Sequence, residues 1–207
     1  MVKEMAHFFI ACEDQLSESL CLQLVKTFFP NSTFNPVMVA GCAGELKKKM
    51  EPFMKIAKNP DFATLILTDL DQKEDVESLI AEWKSGRATP ENFLFHVSVR
   101  EIESWVLADS EAFSLWSGVP KNKIPRNPDS EPDVKQTLLN LVKKYGHSEI
   151  KNDLLPSQNA KTSKVGVAYN NSLVNFIAQF WLINRARLSS PSLDNAAKSL
   201  ALMTNKI

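Results

Sequence analysis

Cysteine and histidine are scarce in this 207-residue chain, with three of each, and neither type is spaced to hold a metal. Cys12, Cys21 and Cys42 form no CxxC pair, and His7, His96 and His147 form no HxxxH pair, so no zinc site is expected. Glycine is also sparse, at six residues, and neither GxxxxGK[ST] nor GxGxxG occurs, which leaves nucleotide hydrolysis through those loops without support. Apolar runs last only a few residues, too short to span a bilayer. The opening Met1-Val2-Lys3-Glu4-Met5 lacks the charged-then-apolar design of an export signal, and a cytoplasmic location without membrane contact is the expectation.

An excess of charge is missing too. The 24 basic and 24 acidic residues cancel, which argues against strong unaided binding to a nucleic-acid backbone. Their distribution is less even, because residues 1–110 carry 11 basic and 17 acidic side chains whereas 111–207 carry 13 and 7. An acidic half suited to cations beside a basic half suited to phosphates is a nuclease layout; a chance fluctuation on a solvated surface explains the count equally well. With 44% hydrophobic residues, the chain can bury one sizeable core.

The first half alternates strand and helix signals. Residues 6–12 (AHFFIAC) read as a buried strand, and Leu16, Leu20, Leu24 and Phe28 then recur every fourth residue as one helical face. Residues 33–40 (TFNPVMVA) predict a second strand that Pro36 pushes toward an edge or a bulge. A helix carrying Leu46, Met50, Phe53, Met54 and Ala57 follows, kinked or interrupted by Pro52. Residues 63–68 (ATLILT) predict a central parallel strand, 76–83 a helix, and 92–99 (NFLFHVSV) a fourth strand. Helical patterns then take over at 102–107, 110–116, 134–145, 171–181 and 193–203, with extended connections at 118–133 and 155–166. The expected fold class is α/β, with a mostly parallel four-stranded sheet flanked by helices in 1–109 and a mainly helical extension, 110–207, packed on it.

Acidic residues stand directly after three of these strands: Glu13-Asp14, Asp69-Leu70-Asp71 and Glu101-Ile102-Glu103. In an open α/β sheet, ligands bind beyond the carboxyl ends of the strands, so such acids converge on one rim where their oxygens suit Mg²⁺ or Mn²⁺. Asp69 and Asp71, two apart, face the same side if the backbone stays extended. The competing reading makes Asp71 the cap of the following helix. Asp14 reads as the cap of the first helix, but Glu13 has no such task and must be paired, hydrated or metal-bound. Glu101 and Glu103 face together in extended chain and lie about 200° apart in a helix, where only one could be a ligand. Both are candidates for a second site or a supporting shell, and Arg100 is equally a structural counter-ion or a nucleic-acid contact. In the basic half, 159–166 (NAKTSKVG) joins Lys161 and Lys164 to two hydroxyls, a composition suited to phosphates or simply to solvent.

Taken together, CEDQLSE at 12–18, LTDLD at 67–71, VREIESWVLAD at 99–109, VGVAYN at 165–170 and SPSL at 190–193 resemble a bacterial protein family with a TOPRIM-like core, distantly related to the TOPRIM domain of the overcoming-lysogenization-defect (OLD) nucleases. The resemblance implies a Rossmann-like core in which Glu13 matches the glutamate after the first strand, and Asp69 and Asp71 match a DxD that binds Mg²⁺. It further implies Glu101 or Glu103 as an additional acid, Lys161 or Lys164 as the lysine, an ATPase partner protein and a phage-defence setting. Asp14 departs from the usual glutamate-glycine pair. The resulting expectation is a Mg²⁺-dependent nuclease acting on DNA or RNA. A non-cleaving module that binds nucleic acid or a partner is the first alternative. A phosphatase of the haloacid-dehalogenase type, with Asp69 as nucleophile, is the second, although Lys73 stands where its DxDxT pattern needs threonine.

Overall fold

The computed structural model describes residues 6–157 and 162–204. Alternation along the first strand, β1 (His7–Cys12), sets the layering. Phe8, Ile10 and Cys12 enter one apolar cluster while Ala11 enters another, because successive side chains of a strand point to opposite faces. The same alternation runs through β4 (Phe62–Asp69) and β5 (Phe93–Ser98): Leu65, Leu67 and Leu94 fall on the first face, Ile66, Phe95 and Val97 on the second.

All strand pairs are parallel, with β1 and β4 central and β5 at one edge. The other edge is divided. The single strand expected over 33–40 is instead β2 (Thr33–Phe34), paired with His7–Phe8, and β3 (Met38–Val39), paired with Ala11–Cys12. Pro36, between them, has no N–H to give a ladder. Among the described residues the sheet therefore has five strands. The following helix is interrupted, giving α2 (Ala43–Lys47) and α3 (Met50–Ile56). Their break lies ahead of Pro52, and Pro52 sits in the first turn of α3, where a missing N–H costs nothing.

Helix α1 (Gln15–Phe28) lays Leu16, Leu20 and Leu24 on the first face of the sheet, while α2, α3 and α4 (Val76–Lys84) cover the second. Among the described residues the remaining α-helices are α5 (Glu103–Ala108), α6 (Ser110–Ser117), α7 (Val134–Tyr145), α8 (Ser148–Leu154), α9 (Tyr169–Gln179), α10 (Ile183–Ala186) and α11 (Pro191–Met203), with 3-10 turns at Lys121–Lys123 and Pro128–Ser130. The short α8 and α10 have no counterpart in the sequence reading. From α5 onward these helices complete the first layer, and one continuous cluster runs from Phe8 through Trp105 and Phe176 to Met203. A boundary at residue 109 thus falls inside a shared core. Each of its fully buried Leu, Ile and Phe side chains contributes about 2 kcal/mol. Among the described residues, no helix is long and apolar enough to cross a membrane.

Two polar ties fasten the helical half to the sheet half. Trp105 donates from Nε1 to Ser192 Oγ at 2.8 Å and accepts Trp181 Nε1 on its carbonyl at 2.9 Å. Asp109 has no exposed side-chain surface; it caps α6 through Ala112 N–H, takes Leu182 N–H at 2.8 Å, and receives Arg185 through both Nε and Nη2. Asp109→Ala would leave two N–H groups unpaired and remove the carboxylate of Arg185, whose Nη2 keeps the Phe180 carbonyl at 3.0 Å. It is expected to cost about 2–3 kcal/mol, chiefly from the unsatisfied N–H groups, seen as a lowered urea midpoint with unchanged slope.

Candidate functional site

Strands β4 and β5 end level with each other and β1 ends two residues short of them, and this end of the sheet is where the acids lie. Cys12 is in register with Leu67, which sets Glu13 beside Thr68, and Asp69 is in register with Ser98. At both steps a carboxylate meets a hydroxyl of the neighbouring strand. Thr68 Oγ1 donates to Glu13 Oε1, which also accepts the Asp69 N–H at 3.1 Å, and Ser98 Oγ donates to Asp69 Oδ1. Among the described residues, no protein donor is recorded at Oε2 of Glu13 or Oδ2 of Asp69.

The electrostatics of this rim are short of positive charge. Burial pushes the Glu13 carboxyl above its ordinary range; the Thr68 and Asp69 hydrogen bonds oppose that shift, and the charges of Asp71 and Asp14 add to it. Asp69 is pushed well above the ordinary range, first by burial, and Glu103 and Glu13 drive it the same way against the Ser98 hydrogen bond.

Asp71 is placed differently from the sequence expectation. The strand stops at Asp69, Leu70 is buried, and Asp71 takes φ +51°, so the two aspartates do not project as an extended pair. Asp71 is exposed, and its N–H bonds the Arg100 carbonyl at 2.8 Å. Arg100, itself at φ +64°, returns Nη1 to the carbonyls of Asp71 (3.1 Å) and Lys73 (2.9 Å). Two left-handed non-glycine residues cost about 1–2 kcal/mol each, and this mutual clasp offsets that cost. Arg100 therefore acts as the clasp of the β4–α4 loop. Nor does Asp71 cap α4: Asp75 does, accepting Ser78 N–H at 2.7 Å. Asp69 and Asp71 nevertheless line one cleft of about 350 Å³, together with Lys47, Lys73, Glu82 and Trp83.

The third acidic pair converges on a residue the sequence reading missed. Glu101 lies in the turn before α5 and its Oε2 accepts the backbone N–H of Lys135 at 3.3 Å, while the buried Glu103 holds Lys135 Nζ at 3.0 Å and the Tyr169 hydroxyl at 2.8 Å on Oε1. Lys135 also stands 5.3 Å from the Tyr169 ring centre. Burial raises the Glu101 carboxyl, and the Glu103 charge adds to that; burial and the Glu103 charge also raise the Tyr169 hydroxyl. Lys135 carried no signal beyond its place on an amphipathic helix.

The family described as a domain of unknown function, DUF4276, has a model that matches residues 12–162. The chain belongs to the DUF4276 family. No curated protein and no solved structure matches it. The DUF4276 match takes in Glu13, Asp69, Asp71, Glu101, Glu103 and Lys135 and ends before Lys164 and Tyr169. Lys164 is exposed, and among the described residues no hydrogen bond or ion pair joins it to the carboxylates, whereas Lys161 lies outside the described residues. Among the described residues of this DUF4276 chain, no three His, Cys, Asp or Glu side chains are grouped closely enough to hold a metal ion. The donor chemistry still fits a hard cation, because Glu13 and Asp69 are adjacent oxygen donors, each anchored through one oxygen by a strand hydroxyl.

The raised Asp69 carboxyl fixes the sign of a pH effect. Above its ordinary value of 3.8, and up to its native value, the folded state keeps a proton that the unfolded chain has released. Stability therefore falls as pH rises through that window. In chelator, urea midpoints of the wild type should drop as pH rises above 3.8. Asp69→Asn should flatten that slope and be the more stable form at neutral pH; equal slopes would exclude the assignment.

Proposed function

We propose that this chain is a Mg²⁺- or Mn²⁺-dependent nuclease of TOPRIM type that hydrolyses phosphodiester bonds of nucleic acid. One observation carries the reading: Glu13, just past the end of β1, and Asp69, at the end of the neighbouring parallel strand β4, are each fixed by a hydroxyl through one oxygen, in a rim deficient in positive charge. Glu13 and Asp69 would hold the ion, and exposed Asp71, outside their grouping as it stands, would join as a third ligand only on the loop's moving toward them. A bound divalent cation supplies Lewis acidity that activates water and offsets charge on the leaving oxygen. Thr68 and Ser98 orient the two carboxylates, as hydrogen-bonded partners of metal ligands do elsewhere. Arg100 fixes the loop that carries Asp71. Glu103 and Glu101 stand one layer back, and their Lys135 partner limits the negative charge that builds up behind Asp69. Lys164, exposed in the basic half, is the proposed phosphate contact in this reading.

A second reading, a module that binds nucleic acid or a partner without cutting, is favoured by the lack of a three-ligand grouping among the described residues. Cleavage of plasmid, single-stranded DNA and RNA with and without Mg²⁺ separates the two. Wild type should cut only with the divalent ion, Asp69→Asn should lose at least about a hundredfold in rate, and Ser98→Ala about tenfold. Equal rates in wild type and Asp69→Asn would defeat the nuclease reading. Mg²⁺ should also raise the melting temperature of wild type and leave that of Asp69→Asn unmoved.

A further inference from the structure

The cleft between α2 and α4 opens beside the acidic rim on the second face of the sheet. Leu70, Leu79 and Trp83 form its apolar floor, each no more than 5% exposed, and Trp83 is held rigid by stacking on Phe95 at 5.3 Å and 18°. Its volume, about 350 Å³, is that of a small-ligand pocket. On the wall, Lys47 and Lys73 both reach Glu82, at 2.6 and 3.1 Å, so two ammonium groups share one carboxylate. Asp69 and Asp71 on the same lining leave the cleft as a whole without surplus positive charge, and a phosphate contact there is local to the two ammonium groups. The Arg100 clasp holds the backbone of Lys73 in place. An apolar floor of this size with cations at its mouth is complementary to a flat heteroaromatic ring carrying a phosphate.

We infer that this cleft takes one unstacked base of a single-stranded nucleic acid against Leu70, Leu79 and Trp83, with the adjoining phosphate on Lys47 and Lys73. The inference rests on the nuclease reading only for the role of the neighbouring acids. Asp69 and Asp71 line the same cleft, so a base seated there delivers the next phosphodiester to the rim. A paired base in an intact duplex is kept out of such a pocket by its partner and its stacked neighbours, so single strands are the substrate class.

Gly44 supplies a test that spares the fold. It lines the cleft on α2, and a Cβ built there meets nothing within 4 Å, so Gly44→Phe fills the mouth without a backbone clash. Fluorescence anisotropy in chelator, with a labelled single-stranded oligonucleotide, the blunt duplex of the same sequence and adenosine monophosphate as competitor, reads binding independently of cleavage. The single strand should bind about tenfold tighter than the duplex, and Gly44→Phe should remove that preference, as expected for the loss of one seated base. The double variant Lys47→Met with Lys73→Met should weaken single-strand binding and lower its salt dependence. Equal affinity for duplex and single strand, no effect of Gly44→Phe in a variant whose melting temperature is unchanged, or tight binding of adenosine monophosphate without the strand would each overturn the inference. Failure of the nuclease reading would show instead as absent cleavage with this binding preference intact.

Discussion

The parallel register of β1, β4 and β5 is the constraint on which the candidate site depends. Because Cys12 pairs with Leu67 and Asp69 with Ser98, each acid at a strand end meets a hydroxyl supplied by the adjacent strand. A slip of one residue would turn Glu13 and Asp69 to the opposite faces and break both hydrogen bonds. Apolar residues on both faces of the strands oppose that slip, since it would also exchange the residues of the two cores. Burial of the strands thus fixes the spacing of charges that would otherwise repel one another.

The helical half is part of the same construction. Trp105 and Asp109, both on or at the end of α5, connect the strand ends to α10 and α11, so the turn that carries Glu101 and Glu103 is held from behind. Tyr169, the first residue of α9, then reaches Glu103 across the layer. The arrangement of acids at the strand ends therefore depends on residues more than sixty positions away, beyond the reach of any local pattern.

Periodicity made much of the fold legible. Leu16, Leu20 and Leu24 placed α1, the ATLILT run placed the central strand, and Val134 to Tyr145 marked α7 at both ends. The edge strand and the helix near Pro52 were harder, since a proline signals a break without fixing on which side of it the break falls. At the site, Glu13 and Asp69 were legible because an ion after a buried strand needs a reason. Asp71 was not, for its left-handed turn depends on Arg100, a residue 29 positions later. Lys135 was hidden for the same reason: its partners are set by packing, and on its own helix it looks like any solvated lysine.

The divided edge has a consequence for assembly. Sheets aggregate by offering rows of unsatisfied amides to a passing strand, and β2 and β3 offer only two residues each, separated by the Asn35-Pro36-Val37 interruption. On that side the molecule ends in fragments too short to template growth. Pro36 therefore acts as a guard against fibril-like stacking of one copy on the next.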